Sequence, residues 1–298
     1  MKLATFICSG KSMVGVVAPE NDSVWPVESL PKDGKRIPDM LDVIRHYDSL
    51  LPVLQSRGSN RRSLHDVKLQ APIPRPTRNI MCVGKNYHEH AHEFSKSGFD
   101  SSSTSSTDAI PTAPIIFTKI PECVIANRAP IRYPAGISDS VDYEAELAVV
   151  IGRGGRGIRR EDALKHVWGY TIVNDVTARD WQGRHKQWFL GKSFDTFCPM
   201  GPWIVTADEL DIGDLNVRCW VNDELRQNAN TRDLIFDVPT IIEAISAGIT
   251  LFPGDVIATG TPAGVGVGFV PPKFLKPGDR VRIDISGIGT LTNTVEDG

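Results

Sequence analysis

From residue 79 onward the chain is a succession of short β-branched runs cut by Gly and Pro: Asn79–Val83, Pro114–Phe117, Val141–Ile151, Trp203–Val205, Val217–Val221, Val256–Thr259 and Val281–Ile285. Runs of this length bounded by turn residues fit strands and leave little chain for helices. Helical spacing is confined to Tyr87–Phe94 and Val238–Ala247 in this part of the sequence. Strands and helices do not alternate, which argues against a parallel βαβ sheet and predicts a β-rich α+β fold. Ahead of it, Leu3–Cys8 and Met13–Val17 flank Ser9-Gly10-Lys11-Ser12 as a hairpin would, and apolar positions from Pro38 to Leu54 recur at helical spacing. The stiff run Pro72-Ile73-Pro74-Arg75-Pro76 is the expected boundary, giving a small α+β domain over 1–72 and a larger domain over 73–298.

Charge narrows the partners. With 33 Lys+Arg against 36 Asp+Glu the net charge is −3, so the broad positive field that nucleic acid or anionic lipid requires is missing. No apolar run approaches the ~20 residues of a membrane span, and the apolar start Leu3–Cys8 is too brief for a signal peptide. Cys8, Cys82, Cys123, Cys198 and Cys219 are odd in number and far apart, which suits reduced thiols in a cytoplasmic setting.

The chemistry concentrates in three segments. Val141-Asp142-Tyr143-Glu144-Ala145-Glu146-Leu147, read as one strand, puts Glu144 and Glu146 on one face. The apolar residues that follow carry the strand into a core, where two neighbouring carboxylates are costly without a cation. An edge strand with a wet face is the alternative for this segment alone. A second apolar run, Gly169–Val173, ends in Asn174-Asp175 and delivers a third carboxylate. Three carboxylates without Cys or His form an all-oxygen set suited to Mg²⁺, Mn²⁺ or Ca²⁺, with positions left for a chelating substrate. By itself Asp175 also fits a turn or helix cap. In Tyr87-His88-Glu89-His90-Ala91-His92-Glu93, a helix places His90 beside Glu93 and His88 beside His92. The first pair has the make-up of a general base; the second would suit zinc but has no third ligand, and solvated histidines are the plain alternative.

Two glycine clusters read as turns. Gly152–Gly157 lacks the βαβ frame and the acidic residue of a dinucleotide site. Gly260–Gly266 follows a strand without opening a helix, and its Thr261 offers a hydroxyl beside backbone amides to a ligand carboxylate. The Ser/Thr-rich loop 94–112, with seven consecutive hydroxyl residues from Ser101 to Thr107, is either a disordered insertion or a lid over the site.

Taken in order, these segments resemble the fumarylacetoacetate hydrolase (FAH) family, in its acylpyruvase and oxaloacetate decarboxylase-like branch. The matching stretches are Val83–Tyr87 with His90 and Glu93, Pro114–Lys119, Asp142–Ile151, Gly169–Asp180, Gly191–Pro202, Gln227–Thr231 and Pro253–Gly266. The resemblance spans about residues 78–296 and departs from the family pattern at Lys119–Glu122, at Ala126–Ala129 and in the Ser/Thr insertion. It implies a mixed β-sandwich roll with a small amino-terminal α+β domain, assembled as a homodimer, and Mg²⁺ or Mn²⁺ held by Glu144, Glu146 and Asp175. It further implies His90 and Glu93 as the catalytic dyad, in a segment that orders over the site when ligand binds, and substrate contacts from Arg179, Gln182, Lys192 and Thr261.

The activity expected first is metal-dependent carbon–carbon cleavage of a 2-oxo acid through an enolate stabilised with help from Lys192 and Arg179, either acylpyruvate hydrolysis or oxaloacetate decarboxylation. The alternatives are keto–enol tautomerisation or isomerisation of oxaloacetate or a dienedioate at the same site and, more remotely, a binding protein without turnover.

Overall fold

A computed structural model describes residues 1–27, 38–99 and 109–298 of the 298-residue chain. Its backbone is a mixed sheet of twelve strands packed against a five-stranded sheet, with few helices. The main path runs Arg62–Ser63, Ser23–Pro26, Lys11–Ala18, Lys2–Cys8, Cys198–Thr206, Val167–Asn174, Ala145–Ile151, Val256–Ala258, Ile80–Gly84, Ile115–Lys119. The smaller sheet runs Glu224–Asn230, Asn216–Val221, Arg280–Ile285, Gly289–Asp297, Ile131–Tyr133. The strand-rich α+β architecture expected from the β-branched runs is present.

The central strand Ala145–Ile151 shows why those runs are apolar on both faces. Leu147, Val149 and Ile151 join a core shared with Val217, Ile283 and Leu291 of the smaller sheet. Ala148 and Val150 face a second core with Leu3, Met40, Leu50 and Ile80. A strand covered on both sides gains burial from every residue, so it loses the polar alternation of a surface strand.

The hairpin Lys2–Cys8/Lys11–Ala18 turns on Ser9 and Gly10, both at positive φ (49° and 76°), the two-residue geometry that matches strand twist. Its first strand pairs Lys2 with Val205 and Leu3 with Ile204, adding the amino-terminal strands to the main sheet. Residues 1–72 therefore share sheet and core with the rest. The Pro72–Pro76 connector is a bend in the chain rather than a gap in the packing.

The helical run expected over 38–54 is two helices, Met40–Arg45 and Tyr47–Ser56. His46 leaves helical geometry between them (φ −114°, ψ 21°), and Pro52, which cannot donate to the Asp48 carbonyl, sits in the second. Met40–Arg45 starts from a reciprocal cap, with the Asp39 side chain accepting Asp42 N–H at 2.8 Å. The other α-helices among the described residues are His88–Ser95, Arg179–Arg184, Phe189–Lys192 and Val238–Ser246. The Ser101–Thr107 stretch of the expected lid lies outside the described residues. None of the five cysteines is in a disulfide, and among the described residues no helix is long and apolar enough to cross a membrane.

Candidate active site

Two central strands build the acidic centre. Ala145–Ile151 runs antiparallel to Val167–Asn174 in a register that pairs Ala145 with Asn174 and Glu146 with Val173. The expected single strand 141–151 is in fact divided. Val141–Asp142 pairs instead with Thr177–Ala178, and Tyr143–Glu144 forms the break. At the break the Asn174 side chain takes over the ladder, its Oδ1 accepting Glu144 N–H at 3.0 Å, while Asp175 N–H donates to the Glu144 carbonyl at 2.9 Å. These bonds bring Glu144, Glu146 and Asp175 together, with ligand oxygens all within 4.8 Å of one another. All three carboxylates are buried. Of the described residues, only these three form such a cluster of His, Cys, Asp or Glu.

Three buried cations surround the triad. Lys192 Nζ lies 2.8 Å from Asp175 Oδ2 and 2.8 Å from Glu144 Oε2. Lys119 Nζ donates to Asp175 Oδ1 at 2.6 Å and to the carbonyls of Val176 and Lys192. Arg179 donates from Nε to Asp142 Oδ2 at 2.9 Å and from Nη1 to Gln182 Oε1 at 3.1 Å. Its Nη2 lies 2.7 Å from Glu144 Oε1, an ion pair without hydrogen-bond alignment. Asp142 completes the cluster by also accepting the N–H groups of Gly266 at 2.6 Å and Val267 at 3.0 Å.

The electrostatics separate the carboxylates. Burial by itself would raise the Glu144 carboxyl, but Lys192 and Arg179 outweigh it and bring it down to about 2. Glu146 goes the other way: burial, then Asp175, then Glu144 push it well above the usual carboxylate range. Its carboxylate accepts Gly260 N–H at 2.7 Å, and among the described residues no ammonium or guanidinium pairs with it. With all four carboxyls ionised, Asp142, Glu144, Glu146 and Asp175 carry one negative charge more than Lys119, Arg179 and Lys192 supply. A buried, hard-oxygen cluster short of positive charge fits a divalent cation such as Mg²⁺ or Mn²⁺.

The expected dyad is in place on the His88–Ser95 helix. His90 Nδ1 lies 3.3 Å from Glu93 Oε2, and the Glu93 carboxylate accepts Gly264 N–H at 3.0 and 3.2 Å. Gly268 is needed against it, since a Cβ there would stand 2.0 Å from Glu93 Oε1. His90 is buried and lines the cavity over the triad. His88 and His92 are both exposed and join no metal cluster, so the zinc alternative has no support among the described residues. Thr261 Oγ1 accepts from Gln227 Nε2 at 2.8 Å, which leaves its hydroxyl proton to donate. Phe94, Phe117 and Trp188 wall the cavity, with Arg179 over the Phe94 ring and Lys192 over Phe117.

His90, Glu93, Glu144, Glu146, Asp175 and Thr261, read from the residues, and Arg179, Gln182 and Lys192, implied by the resemblance, lie in or directly beside this one site. Sequence reasoning missed Lys119, Asp142, Asn174 and Gln227. Asp142 was open to detection, because Asp142, Glu144 and Glu146 alternate at intervals of two. Gln227 Oε1 accepts Ala145 N–H at 3.1 Å from another sheet, a contact with no local signal.

Residues 79–296 match the family described as fumarylacetoacetate (FAA) hydrolase, C-terminal. The chain is 51% identical over 239 residues to the oxaloacetate tautomerase YisK of Bacillus subtilis, covering 80% of this chain and 76% of that one. It superimposes on a fumarylacetoacetate hydrolase from Exiguobacterium antarcticum with a TM-score of 0.85 at 41% identity, covering both chains fully. A maleylpyruvate hydrolase from Sphingobium sp. SYK-6, solved in complex with manganese(II) and pyruvate, matches with a TM-score of 0.80 at 36% identity, again over both chains.

Proposed function

The chain belongs to the fumarylacetoacetate hydrolase family and is an enzyme, and from that premise we propose that it interconverts the keto and enol forms of a 2-oxo acid, oxaloacetate first among them. The observation that carries this reading is a buried carboxylate triad, short of one positive charge, beside a His–Glu pair in the same cavity. Glu144, Glu146 and Asp175 would hold Mg²⁺ or Mn²⁺, and when bound the ion supplies Lewis-acid stabilisation of negative charge on the 2-oxo oxygen.

The chain's own groups do the rest. Glu93 holds the proton on Nδ1 of His90 and orients the ring, leaving Nε2 to take the proton from the carbon beside the ketone. The same imidazole returns it to carbon or oxygen, which is all a tautomerase needs. The Arg179 Nη2 group and the Lys192 ammonium stabilise the enolate charge, and Thr261 and Gln182 orient the substrate. Phe94, Phe117 and Trp188 keep bulk water out, which strengthens each of these contacts. A homodimer in the cytoplasm belongs to the same reading.

The test follows oxaloacetate enol absorbance with purified protein and Mg²⁺ or Mn²⁺. Acceleration beyond the metal ion alone supports the proposal, and none removes it. Carbon–carbon cleavage, the activity expected first from the sequence, stays as the second reading because the Sphingobium relative is a hydrolase solved with manganese and pyruvate. Product mass separates the two: tautomerisation leaves the formula unchanged, whereas cleavage of an acylpyruvate releases pyruvate.

A further inference from the structure

One buried carboxylate at the site has no part in the function proposed above. Asp142 is fully buried, and both of its oxygens accept N–H groups. Oδ1 takes Gly266 N–H at 2.6 Å and Tyr143 N–H at 2.9 Å, while Oδ2 takes Val267 N–H at 3.0 Å and Arg179 Nε at 2.9 Å. Each of these partners is a donor, so a carboxylate satisfies them all, whereas an amide would set its own N–H groups against one pair.

The donors lead to opposite ends of the site. Arg179 follows directly on Thr177–Ala178, the strand paired with Val141–Asp142, and its backbone N–H donates to the Ser140 carbonyl at 2.9 Å. The guanidinium is thus held from two nearby points and reaches Gln182 and Glu144 from there. Gly266 and Val267 belong to the loop whose Gly264 N–H holds the Glu93 carboxylate. The same loop is tied down by Gln227 Nε2, which donates to the Pro262 carbonyl at 2.8 Å, and by the Tyr143 hydroxyl, which donates to the Gly264 carbonyl at 2.9 Å. Position 266 has no room for a side chain, since a Cβ would stand 2.7 Å from Asp142 Oδ1.

The division of the strand at Tyr143–Glu144 makes this arrangement possible. In one continuous strand Asp142 would share a face with Glu144 and Glu146. The break instead moves Val141–Asp142 onto Thr177–Ala178, where the carboxylate meets Arg179 and the loop. Resting on the function proposed above, we infer that Asp142 is a positioning residue that fixes the spacing between the guanidinium that binds substrate and the loop that seats Glu93. It touches neither the substrate nor the transferred proton. Its effect reaches the reaction through Arg179 on one side and through Glu93 and His90 on the other, and a displacement of about 1 Å between groups so arranged costs on the order of 10²-fold in rate.

The experiment compares wild type, Asp142→Asn and Arg179→Met as Mg²⁺-loaded full-length protein, first by amide hydrogen exchange at Gly264, Gly266 and Val267. Asp142→Asn is expected to speed exchange at Gly266 and Val267 by at least about 10-fold, the scale of one hydrogen bond to a charged group. The acceleration should extend to Gly264, which Asp142 does not touch. Arg179→Met is expected to speed Gly266 and Val267 by at least about 2-fold, the lower end of coupling within one hydrogen-bond network. With oxaloacetate, Asp142→Asn should lower kcat by about 10–100-fold and raise KM, while the Mg²⁺-induced rise in Tm stays; a purely structural residue would lower Tm and leave kcat and KM alone. Wild-type exchange at Gly264 in Asp142→Asn, or wild-type kcat in that variant, overturns the inference. If Asp142→Asn does not fold, Arg179→Met decides alone, and unchanged exchange at Gly266 and Val267 overturns it. If wild type turns over no oxaloacetate while exchange responds as expected, the proposed function falls and the coupling of Arg179 to the Glu93 loop stands.

Discussion

Glu146 is the member of the triad whose removal separates the need for a cation from the need for a fold. It is 1% exposed, is raised well above the ordinary carboxylate range by burial and by Asp175 and Glu144, and among the described residues is matched by a single backbone N–H, from Gly260. A carboxyl raised on folding destabilises the native state at every pH above its unfolded value, by about 1.4 kcal/mol for each tenfold weakening of the acid. Glu146→Gln keeps an acceptor for Gly260 N–H, offers an amide N–H to Asp175 and brings the four-to-three charge count to balance. Metal-free Glu146→Gln is therefore expected to gain at least about 1 kcal/mol over metal-free wild type.

For 298 residues the unfolding entropy is about 0.6 kcal/mol per degree, so this gain corresponds to a Tm rise of about 2 °C. Mg²⁺ at a hundred times its Kd stabilises the wild type by about 2.7 kcal/mol, or roughly 4 °C. In the variant, which lacks one of three anionic ligands, the same Mg²⁺ concentration is expected to add less than about 1 °C. Calorimetric melts in EDTA and in Mg²⁺ read both effects. The reasoning fails if the variant melts below wild type in EDTA, or if it keeps the full Mg²⁺ response.

His90→Ala is expected to leave the Mg²⁺-induced Tm shift intact and to slow turnover by roughly 10²–10⁴-fold; full activity would remove His90 from the proton transfer. Because Glu146 is held protonated above the ordinary range, an ion binding there displaces a proton when the pH is below that raised value, so Mg²⁺ affinity rises with pH. Calorimetry in buffers of different protonation enthalpy detects the released proton, and pH-independent binding without release contradicts the assignment. Gly264→Ala places a Cβ 1.9 Å from the Arg226 carbonyl at a φ of +97°, at a cost of roughly 1–3 kcal/mol, and should lower kcat by displacing the N–H that holds Glu93; an unchanged kcat would detach that loop from the dyad. Asn174→Ala removes the acceptor for the buried Glu144 N–H and should cost about 1–3 kcal/mol, read from denaturant unfolding.

The residues that make the site were visible in the sequence where their chemistry is local. Glu144 and Glu146 stand two apart, and His90 and Glu93 are one helical turn apart, so periodicity placed each beside its partner, whereas Asp175 showed only as an acid ending an apolar run. The packing between distant segments was not visible. Nothing local says that Lys119 reaches Asp175 from an edge strand, or that Gln227 bridges Ala145 and Thr261 from a second sheet. The division of 141–151 was hidden for the same reason: Asn174, thirty positions on, supplies the acceptor that lets the strand break without an unpaired N–H. The His46 break also escaped periodicity, since the apolar spacing carries across it.

The pairing of Ala145 with Asn174 and Glu146 with Val173 also makes the acidic centre a gauge of assembly. Sliding one strand by a single residue would swing the Glu146 carboxyl to the side occupied by Leu147 and Val149 and strand it in hydrocarbon. Molecules zipped in the wrong alignment would then have no place for a divalent ion. Retention on a manganese-loaded chelating resin would sort correctly assembled protein from slipped protein before any turnover is measured.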